Sequence, residues 1–457
     1  MNSERRKRTA VMAMVLLSSF SMPMMLSAVN VALPSMAEAL RMDAVTLSWV
    51  PMSYLMASAA FVLSFGRLAD LVGRKRIFSY GVAGLVLSSI LAATANDPWV
   101  LIIYRLIQGV TAAMLYATHI AIVSSVYPPN ERGRMIGLSV SIIYIGLTCG
   151  PLVGGWLTGL FGWRATFLIH VPLCVISWLI GLLYVKEEWK AEDPGGFDSI
   201  GAVLYSGAII AFMLGISWLP DLSGVSLILV GSLGFYGFFR HQHGRDHPLI
   251  DVSLFYTNRV FTYSCIASII MYTATFANIV LLSLYLQYLL GLSPSQAGLV
   301  LVAQPIVMAI VSPLSGRLSD HKEPGILASF GMALTAIGLG LLATLSADSA
   351  VSTVIIYLCI TGFGFSFFSS PNANAIMGSV DKRQYGAAGG AVATVRIIGQ
   401  MASMAVVSMV FVLMLGAVQI TPEVYPELGE AIQLSFTVAA LMCVAGVYFS
   451  FSRGKVH

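Results

Sequence analysis

Charge is what this chain has least of: of its 457 residues only 10% are Asp, Glu, Lys or Arg, while 57% are hydrophobic. A water-soluble domain keeps roughly a quarter or more of its surface charged, so a soluble globular protein is excluded. Cysteine is scarce too. Its five copies, Cys149, Cys174, Cys265, Cys359 and Cys443, are odd in number, widely spaced and set in apolar stretches. That excludes a disulfide framework and predicts free thiols packed as small apolar groups. The sequence holds no phosphate-binding glycine loop, no zinc signature and no nucleophile paired with a base, so enzyme chemistry, a cofactor and a bound metal are not expected. The net charge of +4 gives no footing for nucleic-acid binding.

Long apolar runs fill the chain instead, with a mean hydropathy of +0.84. About 20 helical residues cross a bilayer core about 30 Å thick. Fourteen such stretches can be placed, near 10–32, 45–65, 77–95, 98–122, 135–157, 165–185, 199–219, 222–239, 260–286, 297–315, 325–345, 350–376, 387–417 and 429–451. The expected fold class is an all-α membrane protein with 14 transmembrane helices, and both termini then lie on one side. All but four of the 25 Lys and Arg residues fall on that side: Arg41 and Arg164 lie opposite, and Arg105 and Arg396 fall within spans. Cytoplasmic loops carry the basic excess, so both termini are read as cytoplasmic. Acids, including Asp97, Asp221, Asp348, Glu423, Glu427 and Glu430, collect on the other side. Arg5-Arg6-Lys7-Arg8 ahead of an apolar run is like a signal peptide. The run exceeds the usual apolar region of about 7–15 residues, however, and reads as an uncleaved first span.

Gly66-Arg67-Leu68-Ala69-Asp70 follows the second span, and Gly316-Arg317-Leu318-Ser319-Asp320 follows the tenth. If each copy opens a cytoplasmic turn after the second helix of a six-helix half, the halves are 1–186 and 260–457. Residues 187–259 are then a linker carrying an inserted hairpin, spans seven and eight. Transporters built of two repeats hold substrate between them near the midplane. In the first copy Gly66 and Gly73 permit a tight turn, and Asp70 is placed to cap a helix or pair with arginine. Arg74, Lys75 and Arg76 hold the loop in the cytosol.

The fifth span carries Gly137, Gly146, Gly150-Pro151 and Gly154-Gly155. Such residues cost a soluble helix about 1 kcal/mol per glycine and about 3 per proline, but in a membrane they let two backbones touch. An ordinary contact of small residues accounts for Gly146, Gly150 and Gly154, and leaves the Gly-Pro pair and Gly137 over. In the fourth span, Arg105-Leu106-Ile107-Gln108-Gly109 sets a charge about 10 Å deep at 1.5 Å per residue. Ionisable residues inside spans are functional-site candidates facing the bundle interior; the alternative is snorkelling. Gln108, one turn on, is placed to support Arg105.

These motifs, with Asn30-Val31-Ala32-Leu33-Pro34 closing the first span, resemble the major facilitator superfamily, and fourteen spans resemble its drug:proton antiporter branch. Trp163-Arg164, Phe197-Asp198, Pro248-Leu249-Ile250-Asp251 and Gln287 through Gly298 match further. The resemblance implies a secondary active exporter, monomeric and multi-pass in a bacterial inner membrane. Its halves alternate access, and it exchanges protons for small amphipathic compounds such as drugs or metabolites. It also implies that Asp70 and its loop lock the cytoplasmic side, that Arg105 takes part in proton handling, and that the Gly-Pro-Gly-Gly helix marks export.

The chain departs from the family at Met25, where an acid is common five residues before the asparagine of the Asn-Val-Ala-Leu-Pro string. None of its 21 acids lies in mid-span, although a buried carboxylate is the simplest proton carrier. His119, His170 and Asp70 are left as candidates, since histidine ordinarily titrates near pH 6.5. A neutral, hydrogen-bonded imidazole is the alternative for both histidines, and a permanently ionised cap is the alternative for Asp70. A cavity without acids would offer Arg105 and Arg396, the latter about 15 Å into span thirteen at 1.5 Å per residue. That favours a neutral, zwitterionic or anionic substrate. In the alternative, carbonyls and phenols hold both arginines and aromatic faces recognise cations.

Met25, Asn30, Tyr54, Gln108, Tyr144, Asn278, Gln304 and Gln400 complete the substrate candidates, and each also suits interhelical glue. Arg240 to His247, with three histidines and an aspartate, reads as a juxtamembrane connector whose arginines face lipid phosphates, with metal binding as the alternative. Two other functions stay open: an uncoupled facilitator or lipid-type transporter of the same fold, and a non-transporting membrane sensor.

Overall fold

In lipid every backbone N–H and C=O must be satisfied within the protein, which makes helices of long apolar runs. The computed structural model describes residues 2–190, 195–245, 248–250, 252–319, 321–380 and 385–454. Among these, fourteen helices are long and apolar enough to cross a membrane. They are α1 (Arg6–Val31), α2 (Ala44–Val72), α3 (Arg74–Ala93), α4 (Pro98–Val126), α5 (Gly137–Phe161), α6 (Ala165–Tyr184), α7 (Ser199–Ser217), α8 (Leu222–Gln242), α9 (Arg259–Leu289), α10 (Pro294–Ser319), α11 (Pro324–Leu342), α12 (Val351–Gly378), α13 (Ala388–Met414) and α14 (Pro422–Phe451).

The few polar residues at the boundaries satisfy the N–H groups that a helix start leaves unpaired. Asp43, Asp97, Asp198 and Asn258 cap α2, α4, α7 and α9. Ser293 and Gln296 form a capping box on α10. Helix α9 is interrupted by a turn at Phe276 and Ala277 and ends in a π turn over Tyr285–Leu289. The five cysteines are free.

Helix α1 packs on α5 and α6, and α4 on α2 and α3; among the last six spans, α12 packs on α10 and α11, and α9 on α13 and α14. The first six spans meet the last six along two main seams, α5 with α10 and α2 with α13. Helix α7 lies across the second seam, against both α2 and α13. Trp49 Nε1 donates to Ser217 Oγ at 3.1 Å and Ser206 Oγ to the Ala60 carbonyl at 2.6 Å. Helix α8 packs on α7 and turns Leu222, Leu229, Leu233 and Tyr236 outward.

The turn expected to open at Gly66 does not: Gly66 and Asp70 are helical, because α2 runs on to Val72. Gly73 alone, at φ 131°, turns the chain into α3. Asp320, which ends the second copy of the motif, lies outside the described residues, as does Asp251.

Candidate functional site

A cavity of about 140 Å³ lies between the first six spans and the last six. One face of α1 lines it from Ser19 to Asn30, and α13 contributes Ala393, Arg396 and Gln400 at spacings that keep one helix face. Gln304 comes from α10, His119 from α4 and Tyr144 from α5. Thus Asn30, His119, Tyr144, Gln304, Arg396 and Gln400, far apart in sequence, share one space. Tyr116, Tyr272, Met308 and Phe365 also line it. Tyr116 stands three residues before His119 and Met308 four after Gln304, so helical spacing would have found both; nothing in the sequence marks Tyr272 or Phe365. No carboxylate lines the cavity among the described residues.

The cavity expectation is corrected at five residues. Met25, Tyr54 and Gln108 are fully buried behind the α1 and α4 walls, and Asn278 faces a separate pocket of about 10 Å³ beside α13 and α14. Arg105 is the fifth. It is 0% exposed and neither lines the cavity nor snorkels. Its Nε donates to the Val50 carbonyl at 3.0 Å, its Nη1 to Gln108 Oε1, and its guanidinium lies 4.5 Å over the Tyr54 ring. Met25 gives the same guanidinium a sulfur contact at 3.6 Å.

Gln108 Nε2 donates to Ser89 Oγ at 2.7 Å, and Ser89 hydrogen-bonds with His170 Nε2 at 2.9 Å. His170 therefore ends a buried polar chain that starts at Arg105, and is not a cavity residue. His119, by contrast, reaches the cavity with both ring nitrogens engaged by α1, Nε2 with Ser18 at 2.9 Å and Nδ1 with Ser19 at 3.3 Å. Arg396 has no hydrogen-bond or ion-pair partner among the described residues, and lies partly exposed to the cavity.

The glycines of α5 work on two faces. A Cβ on Gly146 would stand 2.4 Å from the Phe20 carbonyl oxygen, one on Gly150 2.4 Å from Ser27 Cβ, and one on Gly154 2.5 Å from Ala28 Cα, all in α1. On Gly155 it would meet the Pro294 carbonyl oxygen of α10 at 2.4 Å. Gly137 does not belong to this set, since nothing lies within 4 Å of a Cβ there.

Hydrogen bonds between the two groups of spans concentrate on the side away from the termini. Ser283 Oγ and Gln287 Nε2 both donate to the Val31 carbonyl, at 3.1 and 2.9 Å. Ser295 Oγ donates to the Gly155 carbonyl at 3.1 Å, and Gln419 pairs with Asp43 in a bridge. Nearer the termini, Tyr144 Oη pairs with Ser369 Oγ at 2.7 Å.

On the termini-bearing side Asp70 takes the Arg74 guanidinium at 2.8 and 3.0 Å, and Arg74 Nη1 donates on to Ser125 Oγ at 2.6 Å. This ties the turn to the end of α4. Glu188, from beyond α6, accepts from the Lys75 backbone N–H at 2.8 Å and so caps α3 from a distance. Lys75 Nζ donates to the Val185 carbonyl. Asp198 anchors the α7–α8 hairpin: it accepts from Gly201 N, His241 Nε2 and Gln242 Nε2 at 3.0, 3.0 and 2.6 Å, and pairs with Arg245 at 3.1 Å. Burial alone would raise its carboxyl, but those bonds outweigh burial and hold it below the ordinary carboxylate value. His241 is thus taken by Asp198, and His243 stands edge-on to Tyr256. Asp246 and His247 of that segment lie outside the described residues.

Among the described residues, fourteen apolar helices around a cavity set between two groups of spans define a multi-pass membrane transporter. The family model described as Major Facilitator Superfamily matches residues 15–257 and 264–455, and the chain belongs to that family. It is 32% identical over 376 residues to the riboflavin transporter RibZ of Clostridioides difficile, covering 81% of each chain. It is 30% identical to the multidrug resistance protein Stp of Mycobacterium tuberculosis over 85% of this chain and 73% of that one. Among solved structures, a peptide transporter POT in complex with sulfate matches with a TM-score of 0.68 at 16% identity, over 96% of this chain and 94% of that one, a likeness of fold.

Proposed function

We propose that this protein exports small amphipathic compounds lacking net positive charge, in exchange for protons, by alternating access. The six-helix halves 1–186 and 260–457 rock about the cavity while 187–259 spans their seam, the protein acting as a monomer in a bacterial inner membrane with both termini in the cytosol. The observation that carries the reading is a cavity set between the two groups of spans, with the hydrogen bonds across it gathered on one side. Glycine contacts that let α5 bear on both α1 and α10 support a crossing able to slide. Relatives named for drug resistance and for riboflavin transport support a small organic substrate.

His119 is the cavity residue whose ordinary titration lies nearest neutral pH, and it is assigned the proton. Arg105, Gln108, Ser89 and His170 form the fixed polar framework behind it. The absence of a lining carboxylate among the described residues favours an uncoupled facilitator as the second reading. Uptake of a compound panel into proteoliposomes with and without an imposed pH gradient separates the two: gradient-dependent uptake supports exchange, and uptake indifferent to the gradient supports the facilitator.

A further inference from the structure

We propose that the cavity takes its substrate as an anion, with the negative group seated on the Arg396 guanidinium. The inference rests on the reading of this cavity as the transport site and narrows its substrate class.

Three arginines sit in or beside the membrane interior with little or partial exposure, and they are treated differently. Arg105 places its Nε and Nη1 on the Val50 carbonyl and Gln108, against Met25 and the Tyr54 face; its Nη2 has no partner but is buried away from the cavity. Arg453, 1% exposed just after α14, donates to the Ser450 carbonyl at 2.7 Å, Ser264 Oγ at 3.0 Å and Asn372 Oδ1 at 2.6 Å. Arg396 receives nothing comparable among the described residues, although it is set on a cavity wall inside a span. A charge in a span is costly and calls for a partner. The protein supplies partners to the first two, and among the described residues leaves Arg396, the guanidinium on the cavity wall, without one.

The surroundings agree in sign. The lining offers hydroxyls, amides, an imidazole and rings, and no carboxylate among the described residues. A cationic substrate would meet Arg396 as a like charge. An anion would gain charge-assisted hydrogen bonds from a planar fork suited to carboxylate, sulfonate or phosphate. Gln400, one turn along the same face of α13, and Gln304 across the cavity have no hydrogen-bond partner among the described residues either, and are placed to hold polar atoms next to that group. The remaining wall is apolar and aromatic, with Tyr116, Tyr272, Phe276 and Phe365. The space of about 140 Å³ is of the size of apolar cavities that admit a small aromatic molecule, about 150 Å³. The substrate class is thus a compact aromatic or heteroaromatic acid, its ring against these residues and its anion on Arg396.

The test uses three fluorescent probes of one shape and different charge, naphthoate, naphthamide and naphthylmethylammonium. Their binding to the full chain in lipid nanodiscs is measured by equilibrium dialysis for wild type, Arg396→Gln and Arg396→Lys, each first shown to be monodisperse and helical. Wild type is expected to bind naphthoate about tenfold more tightly than naphthamide, and the ammonium probe most weakly. Arg396→Gln is expected to lose that preference while keeping naphthamide affinity, and Arg396→Lys to keep most of it. Naphthamide bound as tightly as naphthoate, or a preference untouched by Arg396→Gln, overturns the anion assignment and leaves the cavity as a transport site standing. Failure of wild type to bind any of the three overturns both.

Discussion

Gly155 of α5 and Gly298 of α10 touch backbone to backbone: a Cβ on Gly155 would stand 2.4 Å from the Pro294 carbonyl oxygen, and one on Gly298 2.3 Å from that of Pro151. Neither neighbour is a flexible side-chain end, so the helices themselves must part. Gly155→Ala and Gly298→Ala are each expected to weaken the closed contact by about 1–3 kcal/mol. Gly137→Ala is expected to be silent or slightly stabilising, since its Cβ meets nothing within 4 Å and alanine is the better helix former. A reporter cysteine replacing Thr275, which lines the cavity from α9, in a cysteine-free background, labelled with an impermeant maleimide from the side away from the termini, reads the difference. Faster labelling is expected in the first two variants only.

Ser283 and Gln287 share one acceptor, the Val31 carbonyl. Replacing both with alanine removes the two donors that pin α9 to the end of α1, each worth about 1 kcal/mol. The same reporter is expected to label faster, with the melting temperature little changed. Unchanged labelling would mean that these bonds do not hold the closed side.

Arg105→Ala leaves Gln108 Oε1 without its donor in a buried place, at a cost of about 1–3 kcal/mol, and removes one donor from the Val50 carbonyl, which keeps Ser53 Oγ at 3.4 Å. A clear fall in melting temperature in detergent is expected. Arg105→Lys, which keeps the charge but not the fork, should fall in between. Equal melting of all three would show that the guanidinium contacts carry no stability.

The Asp198 carboxyl is held below its ordinary value in the folded protein. Its contribution is therefore fully present above the unfolded pKa and is lost as pH falls through the lower, folded one. Asp198→Asn should loosen the α7–α8 hairpin at pH 7, seen as faster proteolysis near Arg240 to Arg245. The gap to wild type should close as the medium is taken below about pH 4. A gap that persists in acid would assign the defect to packing rather than to charge.

The number of spans and the proline and glycine clusters were legible because they depend on length and composition; the end of α2 was not, since it runs past the expected turn at Gly66 to Val72. Direction was harder. In sequence Arg105 and Arg396 look alike, one charge in an apolar run, yet packing buries the first away from the cavity and leaves the second on its wall. Gly137 shows what spacing does settle. Nine residues at about 100° each bring it half a turn away from Gly146, whereas steps of four keep Gly146, Gly150 and Gly154 on α1. Gly155, one residue on, faces α10. Glu188 and Arg453 carry no signal in the sequence, because each caps or clamps an element remote from it along the chain and no local pattern announces such a contact.

We propose that His119 couples proton movement to substrate passage through the cavity. The most direct measurement is transport of naphthoate, riboflavin and ethidium by proteoliposomes under an imposed pH gradient, for wild type, Arg105→Ala and His119→Ala. The account predicts gradient-driven transport of an anionic or uncharged compound and none of ethidium, with loss of coupling in His119→Ala. Transport that persists unchanged when the gradient is collapsed, or normal coupled transport by His119→Ala, would contradict it.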